Sequence, residues 1–230
     1  INGFDILWDE VDDYVADIQS IRSIDQLTFS KPVTFFCGEN GSGKSTLLEA
    51  LAIKNGLNPE GGTRNYNFST YDSYSDLHNH MRLWRSRKPD WMYFLRAESF
   101  YNVATKEMEY SGVFSERYHD QSHGQSFFSV LMKQTNKNGL YLLDEPEAAL
   151  SCQNQLALLY LIQSCVKQNC QFIIATHSPI LLGFPGAQIL SFDEGKVEEV
   201  DYKSTSSYQT MKLFLDRYDY FVKDIKENDN

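Results

Sequence analysis

The sequence is poor in basic side chains: 21 Lys and Arg stand against 31 Asp and Glu, for a formal net charge of −10 over 230 residues. Affinity for phosphate backbones comes mainly from Lys and Arg, which argues against a nucleic-acid surface spread over the whole molecule and makes any such contact local. The one basic cluster is Arg82, Arg85, Arg87 and Lys88, with Trp84 and Trp91 beside it. Its plain reading is a solvated helix end. Long apolar runs are missing too: no stretch approaches the roughly eighteen residues needed to cross a bilayer. The residues Ile1, Asn2, Gly3, Phe4 and Asp5 lack the basic and apolar regions of a signal peptide. A cytoplasmic protein without membrane contact is expected. The chain opens on Ile1 rather than Met, as it would if the numbering began inside a longer chain or after a removed tag. Cysteine is scarce: Cys37, Cys152, Cys165 and Cys170 show no C-x-x-C pairing and read as reduced thiols rather than a zinc site. There is no internal repeat and no low-complexity tract.

With 42% apolar residues the chain can bury one good core and is too short for two large domains. A single domain over residues 1–230 is expected, with room for a small helical lobe at about 76–135. Loose alternation from Ile18 to Phe29 predicts one or two early strands ahead of a strand at Val33 to Cys37. Ser45 to Ile53 reads as a helix, Gly56 to Asp76 as an irregular excursion, and Trp91 to Leu95 as a strand. Helices are predicted at Tyr101 to Tyr110, Ser126 to Gln134 and Gln153 to Lys167. Leu140 to Leu143 and Phe172 to Ala175 are short, wholly apolar strands of the kind buried in a parallel sheet. Ile189 to Phe192 and Val197 to Val200 suit a terminal hairpin, and Tyr208 to Lys226 a helix with Phe214 and Phe221 packed down. Strands alternating with helices make the chain α/β.

Residues 38 to 46 read Gly-Glu-Asn-Gly-Ser-Gly-Lys-Ser-Thr, a complete phosphate-binding loop directly behind the Val33 to Cys37 strand. Gly38, Gly41 and Gly43 let backbone N–H groups, with those of Asn40, Ser42 and Thr46 beside them, turn toward phosphates. Lys44 supplies a charge for the β and γ oxygens, and the Ser45 hydroxyl can ligate Mg²⁺. The helix that follows points its N-terminus at the anion. A nucleoside triphosphate is the expected ligand.

Leu140-Tyr141-Leu142-Leu143-Asp144-Glu145-Pro146-Glu147 is an apolar strand ending in adjacent carboxylates. Such an end can hold Asp144 near Mg²⁺ and leave Glu145 to polarise the attacking water as general base. The plain alternative is an N-cap pair before a helix. Phe172 to Ala175 ends in Thr176-His177-Ser178-Pro179, which brings His177 to the tip of a second buried strand as a γ-phosphate contact.

Between the loop and the acidic strand, Gln121-Ser122-His123-Gly124-Gln125-Ser126 places small and amide residues at a helix start, a further anion site. The order phosphate loop, Ser-x-Gly-Gln turn, strand-Asp-Glu-Pro and strand-Thr-His resembles the nucleotide-binding fold of ABC-type ATPases over residues about 20 to 200. Pro146-Glu147-Ala148-Ala149-Leu150-Ser151, Thr176-His177-Ser178-Pro179 and Phe94-Leu95-Arg96-Ala97-Glu98-Ser99-Phe100 are similar to the soluble branch, with SMC-, RecF- and OLD-type heads and small stand-alone bacterial AAA/ABC-like ATPases, rather than to transporter subunits. The resemblance implies a P-loop NTPase with a mixed central sheet, flanking helices and an N-terminal antiparallel β part. It also implies ATP and Mg²⁺ as cofactors, and a homodimer that sandwiches ATP, Ser122, Gly124 and Gln125 of one subunit facing the phosphate loop of the other. His123 replaces the usual glycine of that signature. The usual Gln that senses Mg²⁺ is not evident, and Glu98 is the candidate for its position.

The expected activity is ATP hydrolysis that switches a protein partner or effector, such as a nuclease or another nucleic-acid-processing or defence component. A regulatory module that holds ATP as a signal with little hydrolysis is the alternative, and a transporter subunit a third. The absence of heptads between Lys44 and Ser122 argues against a tethering coiled coil.

Overall fold

The computed structural model describes residues 1–11, 13–63, 74–96 and 137–228. Two sheets organise them. The larger has the order β5 (Trp91–Arg96), β6 (Gly139–Asp144), β7 (Gln171–Ala175), β3 (Val33–Cys37), β8 (Gln188–Ser191) and β9 (Glu198–Glu199), parallel throughout except for the antiparallel β8–β9 pair. This is the expected mixed sheet of an α/β P-loop NTPase.

Its central strands are mostly apolar because both faces are covered. Side chains alternate across the sheet: Phe36, Leu140, Leu142, Ile173 and Ala175 join one core, and Phe35, Tyr141, Leu143, Phe172 and Ile174 the other. Helix α2 (Lys44–Lys54) covers the first face with Leu47, Leu48 and Leu51. Helix α4 (Cys152–Val166) covers the second with Leu158, Ile162 and Cys165, and its N-cap Ser151 accepts from the Asn154 N–H. Three single-turn helices accompany them: α1 (Gln19–Arg22) before α2, α3 (Leu77–His80) between α2 and α4, and α5 (Pro179–Leu182) after α4.

The smaller sheet is antiparallel, in the order β2 (Gln26–Thr28), β1 (Gly3–Ile6), β4 (Met81–Trp84). It is the expected N-terminal β part, with one correction. Only Gln26–Thr28 of the Ile18 to Phe29 segment is strand, because Gln19–Arg22 turns into helix and buries Ile21 against Gly43 of the phosphate loop. The basic cluster is not a helix end: Arg82 and Trp84 belong to β4. Arg82 and the Trp84 indole both donate to Asp5 Oδ2, at 2.6 Å and 3.1 Å, and Arg85 and Arg87 donate to Asn55 and Asp90.

The tail is two helices, α6 (Ser206–Asp216) and α7 (Tyr218–Asn228), broken at Arg217, whose φ of −127° leaves the helical region. Phe214 packs on Tyr218 and Phe221 instead of on the core and stays 42% exposed. The predicted helices at Tyr101 to Tyr110 and Ser126 to Gln134, and most of the 76–135 lobe, lie outside the described residues. Of that lobe, residues 77–96 give α3, β4 and β5.

Candidate nucleotide site

The carboxyl ends of β6, β7, β3 and β8 lie side by side, and backbone hydrogen bonds continue the ladder past them. Glu145 N–H donates to Ala175 O at 2.9 Å, Thr176 N–H to Phe36 O at 3.0 Å, and Phe192 N–H to Cys37 O at 2.8 Å. Ligands of open α/β sheets bind outside these strand ends. The polar segments Gly38 to Ser45, Asp144-Glu145 and Thr176-His177 are therefore brought to one edge by strand register.

In the phosphate loop, Gly43 sits at φ 92°, where a Cβ would meet Ile21 Cδ1 at 2.8 Å, so only glycine fits. Ser20 Oγ donates to Ser42 O and ties the loop to α1. Lys44 is buried, and its ammonium donates to the carbonyls of Gly38 at 2.8 Å and Glu39 at 2.7 Å. Burial lowers its pKa, and the carboxylates of Glu145, Asp193 and Asp144 oppose that shift.

Ser45 Oγ donates to Asp144 Oδ1 at 2.8 Å, across from α2 to the tip of β6. A hydroxyl and a carboxylate oxygen side by side are hard oxygen donors, the set that Mg²⁺ takes together with substrate phosphates, so these residues fit that ion. The other oxygen of Asp144 faces Arg96 Nε at 3.8 Å, and Arg96 donates to Glu49 Oε2 at 2.5 Å. Burial raises the Glu49 pKa and Arg96 opposes it. Arg96 closes β5 just before Glu98, and Glu98 lies outside the described residues, as do Ser122, Gly124 and Gln125.

Glu145 occupies left-handed backbone, φ 47° and ψ 50°, a conformation that costs a non-glycine residue of order 1–3 kcal/mol and persists where surrounding structure enforces it. It stands at the N-cap position of the short helix Pro146–Ala149, but its side chain makes no cap hydrogen bond, contrary to the plain N-cap reading. Its Oε1 stands 3.5 Å from His177 Nε2, outside hydrogen-bond geometry, and that nitrogen is covered and without a hydrogen bond among the described residues. Both side chains remain partly open, at 43% and 36%.

Three further carboxylates or their partners matter here and were not singled out from sequence. Glu147 Oε1 accepts from Thr176 Oγ1 at 2.7 Å, His177 N–H at 2.6 Å and Ser178 N–H at 3.2 Å, and so fixes the histidine tip. Its spacing two residues after Glu145 was the available signal. The Arg96–Glu49 pair and Asp193, which accepts from the Glu39 N–H, had none, since each contact joins segments far apart in sequence.

Two cavities flank the loop. One of about 460 Å³ lies between Gly38, His177 and the Met211–Phe214 side of α6, and one of about 840 Å³ lies between Asn40, Ser42 and Gln19. None of the described helices is long and apolar enough to cross a membrane.

Two family models match the sequence: an AAA domain over residues 16–78, which holds the phosphate loop, and an AAA ATPase domain over residues 123–182, which holds the acidic strand and the histidine tip. The chain is 28% identical over 183 residues to an uncharacterized ABC transporter ATP-binding protein of Haemophilus influenzae, covering 68% of each chain. Solved structures with similarity include cbiO1 from Clostridium perfringens, part of the ABC transporter complex cbiONQ, at TM-score 0.44 and 19% identity over 87% of this chain and 91% of that one. A dimeric bacterial ABC transporter cassette gives TM-score 0.41 and 16% identity over 77% and 88%. The segments matched by the two AAA-type models, the phosphate loop in one and the acidic strand and histidine tip in the other, meet on one strand-end edge, and the chain is similar to AAA- and ABC-type ATPases.

Proposed function

We propose that the chain binds ATP on the 38–46 loop and hydrolyses it with Glu145 as general base, and that two copies sandwich the nucleotide to switch a protein partner. The observation that carries this reading is the juxtaposition of Lys44, the Ser45–Asp144 pair and the Glu145–His177 pair at adjacent strand tips. Lys44 exchanges its loop carbonyls for the β and γ oxygens. Ser45 and Asp144 would hold Mg²⁺, whose charge neutralises the phosphates. Glu145 takes the proton of the attacking water, and His177 Nε2, which has no hydrogen bond among the described residues, donates to the γ-phosphate. Phosphoryl transfer asks little more of a protein than positioning and charge.

Each subunit would supply Ser122, Gly124 and Gln125 to its partner's ATP. Glu98 would complete the metal contacts. Mixing Ser122→Arg with Lys44→Ala protein tests trans action, because one composite site of the mixed dimer keeps an intact loop facing an intact signature. Partial recovery of ATPase activity is expected. Two inactive variants whose mixture stays inactive, each still folded, would remove the sandwich.

The name of the Haemophilus influenzae relative, an ABC transporter ATP-binding protein, favours a second reading, a nucleotide-binding subunit of a transporter. The Pro146-Glu147-Ala148-Ala149 segment departs from the form usual in such subunits. Co-purification with a membrane permease would decide for transport, and with a nuclease or other effector for the switch.

A further inference from the structure

Asp193 lies outside the phosphate loop, the acidic strand end and the histidine tip, in the turn after β8. Strand register brings it there: Ser191 pairs with Cys37, and Phe192 N–H donates to Cys37 O at 2.8 Å, so the next side chain falls beside Gly38 and Glu39. Both of its carboxylate oxygens are engaged. Oδ2 accepts from Ser191 Oγ at 3.1 Å, and Oδ1 accepts from the Glu39 backbone N–H at 3.0 Å.

In a trans peptide the N–H and the C=O point in opposite directions. A carboxylate that holds the Glu39 N–H therefore aims the Gly38 carbonyl, the other half of the same peptide unit, to the far side. That carbonyl receives Lys44 Nζ at 2.8 Å, and the Glu39 carbonyl receives it at 2.7 Å. The approach is close enough to require glycine at 38. Its φ is 136°, and a Cβ there would stand 3.0 Å from Asp193 Oδ1. Asp193 also borders both cavities that flank the loop.

We propose that Asp193 is a positioning residue for nucleotide binding: by holding the Glu39 amide it sets the Gly38–Glu39 peptide plane, and through that plane the place of the Lys44 ammonium that receives the triphosphate. The proposal deepens the ATP-binding reading and rests on it. Asp193 need not touch ATP in this role. Asn at 193 keeps an acceptor oxygen for the Glu39 N–H and offers its amide to the Ser191 hydroxyl, which can accept as well as donate. Ala keeps neither.

The test is equilibrium Mg-ATP binding and steady-state turnover for the wild type, Asp193→Asn and Asp193→Ala, with thermal melting of each without nucleotide. Asp193→Ala should raise the Kd for ATP about tenfold while kcat at saturating ATP stays within about threefold, and Asp193→Asn should restore Kd to within about threefold of wild type. A folded Asp193→Ala that binds ATP like the wild type overturns the proposal. So does an Asp193→Asn as weak as Asp193→Ala, which would assign the effect to charge rather than to the held peptide. Should Asp193→Ala not fold, Ser191→Ala, which frees one carboxylate oxygen, decides: a rise in Kd of about threefold supports the role and an unchanged Kd refutes it. A wild type that fails to bind ATP at all would instead sink the ATP-binding reading on which the proposal stands.

Discussion

The six-stranded sheet and the C-terminal helices are both rich in large apolar side chains, yet they use them in opposite ways. In β3, β6 and β7 every apolar residue is buried, and apart from the buried Thr34 the polar side chains lie at the strand ends. In α6 and α7 the apolar side chains face outward: Leu215 is 65% exposed, Tyr220 64% and Ile225 62%. A parallel sheet covered on both faces has no solvent side, so each residue is held by neighbours and the tips can hold strained groups such as Glu145. Two short helices at the edge of the body meet little of it, and several of their rings pack on one another instead. The difference teaches that apolar content marks a core only where register forces burial, and that the chemistry sits where burial stops.

A truncation on each side would break or sharpen that contrast. Leu142→Ala, at a fully buried position in β6, should cost about 2–5 kcal/mol in denaturant unfolding, the loss of transfer energy plus the cavity left behind. Leu215→Ala in α6 should change stability by no more than about 0.5 kcal/mol. Similar values for the two would mean that the sheet is looser, or the tail better packed, than the burial indicates.

Smaller in energy but sharper in location is thiol reactivity. Cys152 is exposed, whereas Cys37, Cys165 and Cys170 are buried, and none of the four forms a disulfide. Burial, then the Asp193 carboxylate, raises the Cys37 pKa to about 11. The thiolate is the reactive form, so at pH 8 about one Cys37 in a thousand is ionised, and ionisation grows only as pH rises toward 11. Titration of the native protein with a thiol reagent at pH 8 should give one rapid equivalent, at Cys152, and the remaining three only on unfolding. Rapid labelling of Cys37 would contradict the closed β3.

Much of this was legible in the sequence, for identifiable reasons. The strands at Val33, Leu140 and Phe172 announce themselves because an unbroken apolar run of strand length has few other uses, and the loop at Gly38 to Thr46 because its glycines and Lys-Ser-Thr are tied to one geometry. The convergence of Ser45, Asp144 and His177 followed from placing those motifs at strand ends. What escaped depends on pairing across long separations. Neither the Asp193 contact to Glu39 nor the Arg96–Glu49 pair leaves a local pattern. The Ile18 to Phe29 segment misled because its loose alternation fits a helical turn as well as a strand, and burial of Ile21 decides between them. The tail misled because a continuous helical pattern carries no sign of the break at Arg217.

The measurement that tests the central claim most directly is ATP binding and turnover by Glu145→Gln beside the wild type. The exchange keeps shape and leaves the Ser45–Asp144 pair untouched while removing the base. ATP affinity within about threefold of wild type, with kcat lower by a factor on the order of 10² or more, is the result predicted. Near-normal turnover in the folded variant would contradict the account and take Glu145 out of the chemistry at the strand tips.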